Sequence, residues 1–211
     1  MTAPQPTWVF HFTPIENLDG ILESGGLACN NLCATQQVSV AHQHIQDRRA
    51  RKQVTCGPGG NLHDYVPFYF CPRSPMMYAI QGGRVASYSK GQGELVYLVL
   101  KLQGVSDAGH DFVFTDRHAA TGYAEFYTDP AHLAEIDWAL MHATQWYDTL
   151  DYPDRKERKQ AEFLVHEFVP WDLVEALAVR NDGMKQRVED VLSRYPASAR
   201  KPVLVRRRWY Y

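Results

Sequence analysis

The chain has 211 residues, of which 45% are apolar and 22% are charged, and its formal net charge is −2. This composition is typical of a globular protein, and it excludes a uniformly basic surface for nucleic acids. No apolar run reaches the roughly eighteen residues of a membrane span, and residues 1–12 lack the basic and long apolar regions of a signal peptide. We therefore predict one cytoplasmic domain over residues 1–211.

The four cysteines do not indicate a disulfide scaffold in a chain of this length, and reduced thiols suit a cytoplasmic protein. Cys29 and Cys33 are followed by His42, His44 and Cys56, so a zinc site is the alternative. Their spacing fits neither a CxxC pair nor the helical HExxH motif. We therefore expect no metal.

The N-terminal half predicts short elements separated by glycine and proline. TWVFHF (7–12) predicts a strand, and Thr13-Pro14-Ile15-Glu16 predicts a capping-box start for a helix that ends at Gly25-Gly26. The segments that follow predict a helix with a basic end over 36–50, a loop over 56–64, a buried strand over 66–70, and a brief helix ending at Gly82-Gly83.

The C-terminal half mixes strands and helices irregularly. The clearest strand is predicted over 95–102, and Asp129-Pro130 predicts a helix start. The remaining predictions are strands over 161–168, 176–179 and 202–211, and an amphipathic helix over 183–195. This order favours an α+β fold over a regular doubly wound sheet.

Glu162 is the unusual residue of the strand predicted over 161–168. Because side chains alternate between the faces of a strand, Ala161, Phe163 and Val165 share one face, and Glu162 lies on the other. From this pattern alone, a carboxylate paired with an arginine inside the core and a catalytic carboxylate are equally good interpretations.

Three further segments carry candidate chemistry, each with a simpler alternative. His11 ends a strand just before a helix start, where a ligand or a neighbouring carbonyl would bind it. The basic run 47–52 is a solvated helix end or a phosphate-binding fork. The aromatic, proline-containing run 67–78 is a core strand with a rigid turn or a surface that stacks nucleobases.

Four motifs together resemble one known family. They are His11-Phe12-Thr13 with Asn17-Leu18, IQDRRA (45–50), GPGGNLHDYVPFYFCPRSPMMYAI (57–80) and RKQAEFLV (158–165). In this order they closely resemble the DarT family of toxins, which ADP-ribosylate single-stranded DNA and are paired with the macrodomain antitoxin DarG. The resemblance covers about residues 8–180, and the long block over 57–80 is its most specific part.

The resemblance implies an ADP-ribosyltransferase fold, a split β-sheet core with NAD in a central cleft. It implies that Glu162 and Arg49 are catalytic, although Arg48 or Arg51 would satisfy a looser alignment. Its implied NAD-binding residues are His11, Thr13, Asn17 and Arg49. Its implied DNA-binding residues are Tyr69, Arg73, Met76, His118, Arg155 and Gln160. The block over 57–80 favours the thymine-modifying branch of the family.

The chemistry of the reaction suits these residue types. Cleavage of the nicotinamide glycosidic bond develops positive charge on the ribose, and a carboxylate in a dry cleft stabilises that charge. A neutral glutamine two residues before Glu162 suits a neutral base as acceptor. Two other classes of protein stay open at this point: an RNA 2′-phosphotransferase-like relative and a non-catalytic module that binds NAD or nucleic acid.

Overall fold

A computed structural model of the chain describes residues 2–33 and 38–211. In these residues the strands are β1 (Trp8–Pro14), β2 (Gly26–Ala28), β3 (Tyr65–Tyr69), β4 (Leu95–Lys101), β5 (Phe112–Thr115), β6 (Phe126–Tyr127), β7 (Glu162–His166), β8 (Phe168–Pro170), β9 (Ala176–Val179) and β10 (Val203–Val205). The α-helices are α1 (Leu18–Glu23), α2 (Gln43–Arg51), α3 (Pro75–Gln81), α4 (Leu102–Asp107), α5 (Trp138–His142), α6 (Arg155–Arg158) and α7 (Asp182–Ser193).

Eight of the described strands form one sheet in the order β10-β9-β4-β1-β3-β7-β5-β6, and β2 and β8 form a second, two-stranded sheet. The large sheet is split between β1 and β3. These two strands share a single residue pair, Phe10 with Tyr69, whereas β1 pairs with β4 over its whole length. Beyond this pair β1 and β3 diverge, which opens a cleft in the middle of the sheet. The predicted α+β fold with a split sheet is confirmed.

Alternation along the central strands places a hydrophobic cluster on each face of the sheet. On β4, Val96, Leu98 and Leu100 belong to the cluster that α1, α4 and α7 cover. Leu95, Tyr97 and Val99 belong to the opposite cluster, which α3 covers. Burial on both faces explains why residues 95–100 form a continuous apolar run, which predicts this strand clearly.

The predicted start of the first helix is wrong in its detail. β1 continues to Pro14, which pairs with Leu95, so Thr13 is a strand residue and caps no helix. A 3-10 turn over Ile15–Asn17 precedes α1 and has no side-chain cap. The strand ladder, a tertiary interaction, outweighs the local capping signal.

Three other boundaries differ from the predictions. The helix predicted over 36–50 begins at Gln43, and positions 36 and 37 lie outside the described residues. The strand predicted over 161–168 breaks at Glu167, whose φ of 59° ends β7 and sends β8 into the second sheet. The final strand stops at Val205, because a 3-10 turn (Arg207–Trp209) returns Tyr210 to the core.

The predicted loop over 56–64 ends in a 3-10 turn (Leu62–Asp64) capped by Asn61. The helix predicted from Asp129-Pro130 is a 3-10 helix (Pro130–Glu135), and the side chain of Asp129 accepts the N–H of Ala131. Further 3-10 turns lie over Gln92–Glu94, Trp171–Leu173 and Ala197–Ala199. In the described part of the chain, no helix is long and apolar enough to cross a membrane.

Candidate active site

The cleft between β1 and β3 is large, with a volume of about 1220 Å³. It is lined by both diverging strands, by α2, by the 118–123 turn and by the segment that precedes β7. Ligand pockets for drug-sized molecules usually measure about 300–1,000 Å³, so this cleft has room for a dinucleotide beside a second substrate.

Glu162 lies at the floor of this cleft, with 2% of its surface exposed. As the first residue of β7 it stands directly opposite Tyr69 of β3. Its Oε2 accepts a hydrogen bond of 2.8 Å from Nη1 of Arg49, and its Oε1 accepts one of 2.9 Å from the backbone N–H of Ala119. The ion pair with an arginine is therefore confirmed. The catalytic interpretation stays a prediction, and it is compatible with this pair because Glu162 also lines the cleft.

The carboxyl group of Glu162 is held in its charged form. Burial by itself would raise its pKa, but the charge of Arg49 and the hydrogen bonds from Arg49 and Ala119 outweigh burial and lower the pKa below its ordinary value. A carboxylate oxygen can accept two hydrogen bonds, so each oxygen retains capacity for a ligand hydroxyl.

The three arginines of α2 point to different places. Arg49, 8% exposed, reaches Glu162, whereas Nη2 of Arg48 donates to the backbone oxygen of Ala120 at 2.8 Å, and Arg51 is exposed. Successive helical residues are rotated by about 100°, so a shift of one or two positions changes what each side chain meets. Arg48 fixes the turn whose Ala119 N–H binds Glu162, so two adjacent arginines support one carboxylate.

One donor of Arg49 remains without a partner. Its Nη2 is buried and makes no hydrogen bond within the described residues. An unsatisfied buried donor costs about 1–3 kcal/mol. Since Arg49 and Glu162 both line the cleft, this N–H is available to an acceptor on a ligand.

His118 is neutral and has a defined tautomer. Burial lowers its pKa, although Glu162, 3.8 Å from its Nδ1, opposes that shift. Nδ1 accepts the backbone N–H of Ala120 at 3.1 Å, so the proton of the neutral ring is on Nε2. His118 is therefore a hydrogen-bond donor toward the cleft rather than an ion-pair partner of Glu162.

His11 has the opposite tautomer. Its Nδ1 lies 2.8 Å from the backbone oxygen of Pro67 on β3, across the split in the sheet. A carbonyl only accepts, so Nδ1 carries the hydrogen, and burial lowers the pKa so that the ring is neutral. Nε2 is then an acceptor. His11 therefore contacts a neighbouring carbonyl, as the simpler alternative predicts. This contact is compatible with a role in ligand binding, because His11 also lines the cleft.

Thr13 and Asn17 form one unit at the cleft wall. Nδ2 of Asn17 donates to Oγ1 of Thr13 at 2.9 Å and to the backbone oxygen of Val38 at 3.0 Å. Oδ1 of Asn17 accepts the N–H of Val38 at 2.8 Å. The amide of Asn17 thus holds the chain at Val38 against the cleft, and the hydroxyl of Thr13 still has its own hydrogen to donate.

The residues implied to bind DNA divide into two groups. Tyr69, Met76, His118 and Gln160 line the cleft. Arg73 and Arg155 do not line it.

These two arginines are occupied elsewhere. The guanidinium of Arg73 stacks on the ring of Tyr211 at 4.2 Å, and Nη2 of Arg155 donates to the backbone oxygen of Gln145 at 3.0 Å on the surface. The basic run 155–159 is partly helical (α6), and Gln160 precedes β7, so it is not a residue of the strand that carries Glu162.

Several cleft residues carried no sequence signal. The N–H of Ala119 is a backbone group, which side-chain motifs do not reveal. Trp146, Tyr147 and Glu157 also line the cleft, and all three lie outside the four motifs that carry the family resemblance. The alternative of a zinc site gains no support: within residues 2–33 and 38–211 no three His, Cys, Asp or Glu side chains are grouped to hold a metal ion.

Comparison with known proteins agrees with this geometry. The family described as "DarT: ssDNA thymidine ADP-ribosyltransferase, DarT" matches residues 10–211. A DNA ADP-ribosyl transferase of Thermus sp. (strain 2.9) is 46% identical over 100% of this chain and 99% of its own length. One from Escherichia coli is 34% identical over 99% of this chain and 95% of its own length.

Solved structures of the Thermus sp. 2.9 DarT have the same fold. Its complex with ADP-ribosylated single-stranded DNA aligns with a TM-score of 0.95 at 45% identity, covering 100% of this chain and 99% of that chain. Its complex with NAD⁺ aligns with a TM-score of 0.92 at 43% identity, covering 100% of both. Thermosipho africanus DarTG in complex with ADP-ribose, 19% identical with a TM-score of 0.75, covers 97% of this chain and 51% of that chain and shares the fold alone.

The split sheet with a buried, ionised glutamate at its central cleft is the arrangement that the sequence resemblance implies, and the shared fold with NAD⁺-bound DarT places the chain in the class of ADP-ribosyltransferases. Within that class, this chain belongs to the DarT family of single-stranded-DNA thymidine ADP-ribosyltransferases. The comparisons confirm three predictions: the family, the enzyme class and NAD as the co-substrate. The roles of individual site residues stay predictions.

Proposed function

We propose that this protein transfers the ADP-ribose unit of NAD to a ring nitrogen of thymine in single-stranded DNA, with Glu162 and Arg49 as the catalytic residues. The glycosidic bond to nicotinamide breaks and its electron pair leaves with nicotinamide. A bond from the ribose to the thymine nitrogen forms, and one proton is released. The observation that carries the proposal is the buried carboxylate of Glu162, kept charged by Arg49 and Ala119 at the cleft floor.

Glu162 stabilises the positive charge that develops on the ribose as the glycosidic bond breaks. Its lowered pKa favours this role over that of a general base, since a weakly basic carboxylate stays ionised throughout. The remaining acceptor capacity of its oxygens suits a ribose hydroxyl. Because the hydrogen bonds to Arg49 and Ala119 exist before any ligand enters, the carboxylate is already oriented.

The NAD-binding set has matched hydrogen-bonding groups. Nε2 of neutral His11 accepts from a ribose hydroxyl, and the hydroxyl of Thr13 donates to a phosphate or amide oxygen. Asn17 acts by holding Thr13 and the Val38 segment in place. Two opposite tautomers at His11 and His118 therefore give the cleft one acceptor and one donor on its two sides.

Arg49 and His118 act on the thymine. The ring N–H of thymine is flanked by carbonyl groups, and loss of its proton places negative charge on their oxygens. The unpartnered Nη2 of Arg49 and Nε2–H of His118 are donors suited to those oxygens. Tyr69, Met76 and Gln160 line the same cleft and border the base, while Arg73 and Arg155 contribute at most from outside it.

Mass spectrometry of oligonucleotides tests the proposal. Single-stranded DNA oligonucleotides with and without thymine are incubated with NAD and the protein. We expect one ADP-ribose unit to be added only to those with thymine, and fragmentation to place it on that base. Modification of RNA alone, or binding of NAD without any adduct, would instead support the phosphotransferase-like relative or the non-catalytic module.

Two variants make the test specific for Glu162. Glu162→Gln should lower the rate by about 10²–10³-fold, the usual loss when one preorganised electrostatic group is removed. Glu167→Gln is the matched control, because this exposed glutamate follows the same strand outside the cleft and should leave the rate unchanged.

We also propose the setting in which this activity operates. Residues 1–211 act as one catalytic domain, supported by a sheet whose strands extend from Trp8 to Val205. The protein acts in the cytoplasm as a toxin countered by a DarG-like macrodomain antitoxin. Expression of the protein in a bacterial host, with and without a macrodomain hydrolase active on thymidine-linked ADP-ribose, tests this: growth arrest should depend on Glu162 and be relieved by the hydrolase.

A further inference from the structure

Lys159 is a buried lysine that the proposed chemistry does not use. It lies three residues before Glu162 and is 1% exposed. Its Nζ donates to three backbone oxygens, those of Leu140 at 2.9 Å, Met141 at 2.9 Å and Ala143 at 3.0 Å. An ammonium group has three N–H donors, so its hydrogen-bonding capacity is fully used by neutral carbonyls.

The three carbonyls lie at the end of α5 and at its C-cap residue, Ala143. Carbonyls at the end of a helix lack part of their intrahelical hydrogen bonds, so a cation there supplies donors to them; of these three oxygens, that of Leu140 also accepts the N–H of Ala143. In the described part of the chain no carboxylate pairs with Lys159. Burial lowers its pKa, which is the cost of keeping a charge at this place.

Residues 144–158, here called the cleft loop, run between these two points. The contact from Lys159 to Ala143 closes the loop at its base, since one ammonium joins the residue before the loop to the residue after it. Within the loop, Oδ1 of Asp148 accepts the N–H of Lys156 at 2.8 Å. Such a compact loop with adjoining ends is a frequent carrier of function.

The cleft loop forms one wall of the active-site cleft. Its lining residues are Trp146, Tyr147, Asp148, Pro153, Lys156 and Glu157. The contacts that join this wall to the rest of the site include two hydrogen bonds: Nε1 of Trp146 donates to the hydroxyl of Tyr211 at 2.7 Å, and the N–H of His118 donates to the backbone oxygen of Glu157 at 2.9 Å. The position of the loop therefore bears on His118, which faces the DNA side of the cleft.

We propose that Lys159 is a positioning residue for the DNA substrate, which holds the cleft loop against the cleft by closing its base. The inference rests on the proposed function, because it assigns the loop to the DNA substrate of that reaction. Lys159 touches neither substrate and acts through the loop. Loss of its ammonium group should weaken the use of DNA while the NAD side, built from β1, the 3-10 turn Ile15–Asn17 and α2, stays intact.

Steady-state kinetics of Lys159→Met tests the inference. Methionine fills nearly the same space without the charge or the donors. Because the variant loses all three hydrogen bonds that close the loop, we expect KM for the thymine oligonucleotide to rise roughly tenfold or more. NAD affinity, measured by titration calorimetry, should stay within about twofold, and amide hydrogen exchange of residues 144–158 should accelerate while β7 stays protected. Lys185→Met, on the surface of α7, is the matched control and should resemble the unmodified protein in every assay.

A second variant covers the case in which Lys159→Met does not fold. Lys159→Arg keeps the charge and several donors on a bulkier side chain, so it should fold and retain part of the loop protection, with a smaller increase in KM for DNA. Unchanged KM for DNA and unchanged loop exchange in whichever variant folds would overturn the inference, as would an equal loss of NAD affinity. Absence of DNA modification by the unmodified protein would refute the proposed function instead, and the two failures are therefore distinct.

Discussion

Replacement of Arg49 by methionine perturbs the buried pair at the cleft floor most directly. Methionine fills most of the space of the arginine stem and removes the charge. Glu162 would then stay buried with the N–H of Ala119 as its remaining hydrogen-bond donor of the two described contacts. The variant thus separates the cost of an unpaired buried carboxylate from loss of packing.

The expected effect on stability is large. Breaking a buried ion pair by removing one partner typically costs about 3–5 kcal/mol. For a chain of this size that corresponds to a decrease in Tm of about 6–20 °C. Little of this cost is reduced by solvent, because both side chains are nearly inaccessible.

Arg49→Met should reverse the pH dependence of the contribution that Glu162 makes to the stability of the fold. In the unmodified protein the pKa of Glu162 is lowered, so its contribution is present above the ordinary carboxyl pKa and is lost as pH falls through the folded value. Without Arg49, burial dominates and raises the pKa. Glu162 then destabilises the fold near pH 7, and stability recovers as the pH falls toward the ordinary value.

Urea denaturation at pH 7 and pH 5 measures both effects. Arg49→Met should lose more stability at pH 7 than at pH 5, relative to the unmodified protein at each pH. Adding Glu162→Gln removes the unpaired charge and leaves an acceptor for Ala119, so the double variant should regain about 2 kcal/mol or more at pH 7. The reasoning fails if Arg49→Met is as stable as the unmodified protein at pH 7, or if the second substitution restores nothing.

Three other variants test single contacts. His11→Asn keeps a donor for the oxygen of Pro67 but loses the Nε2 acceptor, so KM for NAD should rise about tenfold while Tm hardly changes, as checked by kinetics and calorimetry. His118→Asn keeps an acceptor for the N–H of Ala120 but removes the titrating ring. Because burial lowers the pKa of His118, the unmodified protein loses stability as the pH falls below about 6.5. Thermal melts over this pH range should show a smaller loss of stability for the variant. Gln160→Glu places a carboxylate where we propose that DNA passes. KM for the oligonucleotide should therefore rise about tenfold at low salt and less at high salt, with NAD affinity unchanged. An increase in KM that does not depend on salt would contradict an electrostatic cause.

Sequence patterns predicted the elements whose signal is local. The apolar run of β4 and the alternation that separates Phe163 and Val165 from Glu162 depend on neighbouring residues alone, and the structure confirms both. The predictions that failed are those in which distant contacts override local preference. Pairing with β4 extends β1 through the predicted helix cap at Thr13, and the positive φ of Glu167 divides a strand that looks continuous in sequence.

By itself, then, the sequence determined the strand that carries Glu162, the face on which this carboxylate lies and, through four motifs, the family. The tertiary structure decided which of three arginines reaches it, that Ala119 donates its backbone N–H to it, and that Lys159 closes the base of the cleft loop. Arg49 and Glu162 are 113 positions apart. The physical reason is one of range: side-chain periodicity is set by the local backbone, whereas the partner of a buried charge depends on how α2 is rotated and packed against the cleft.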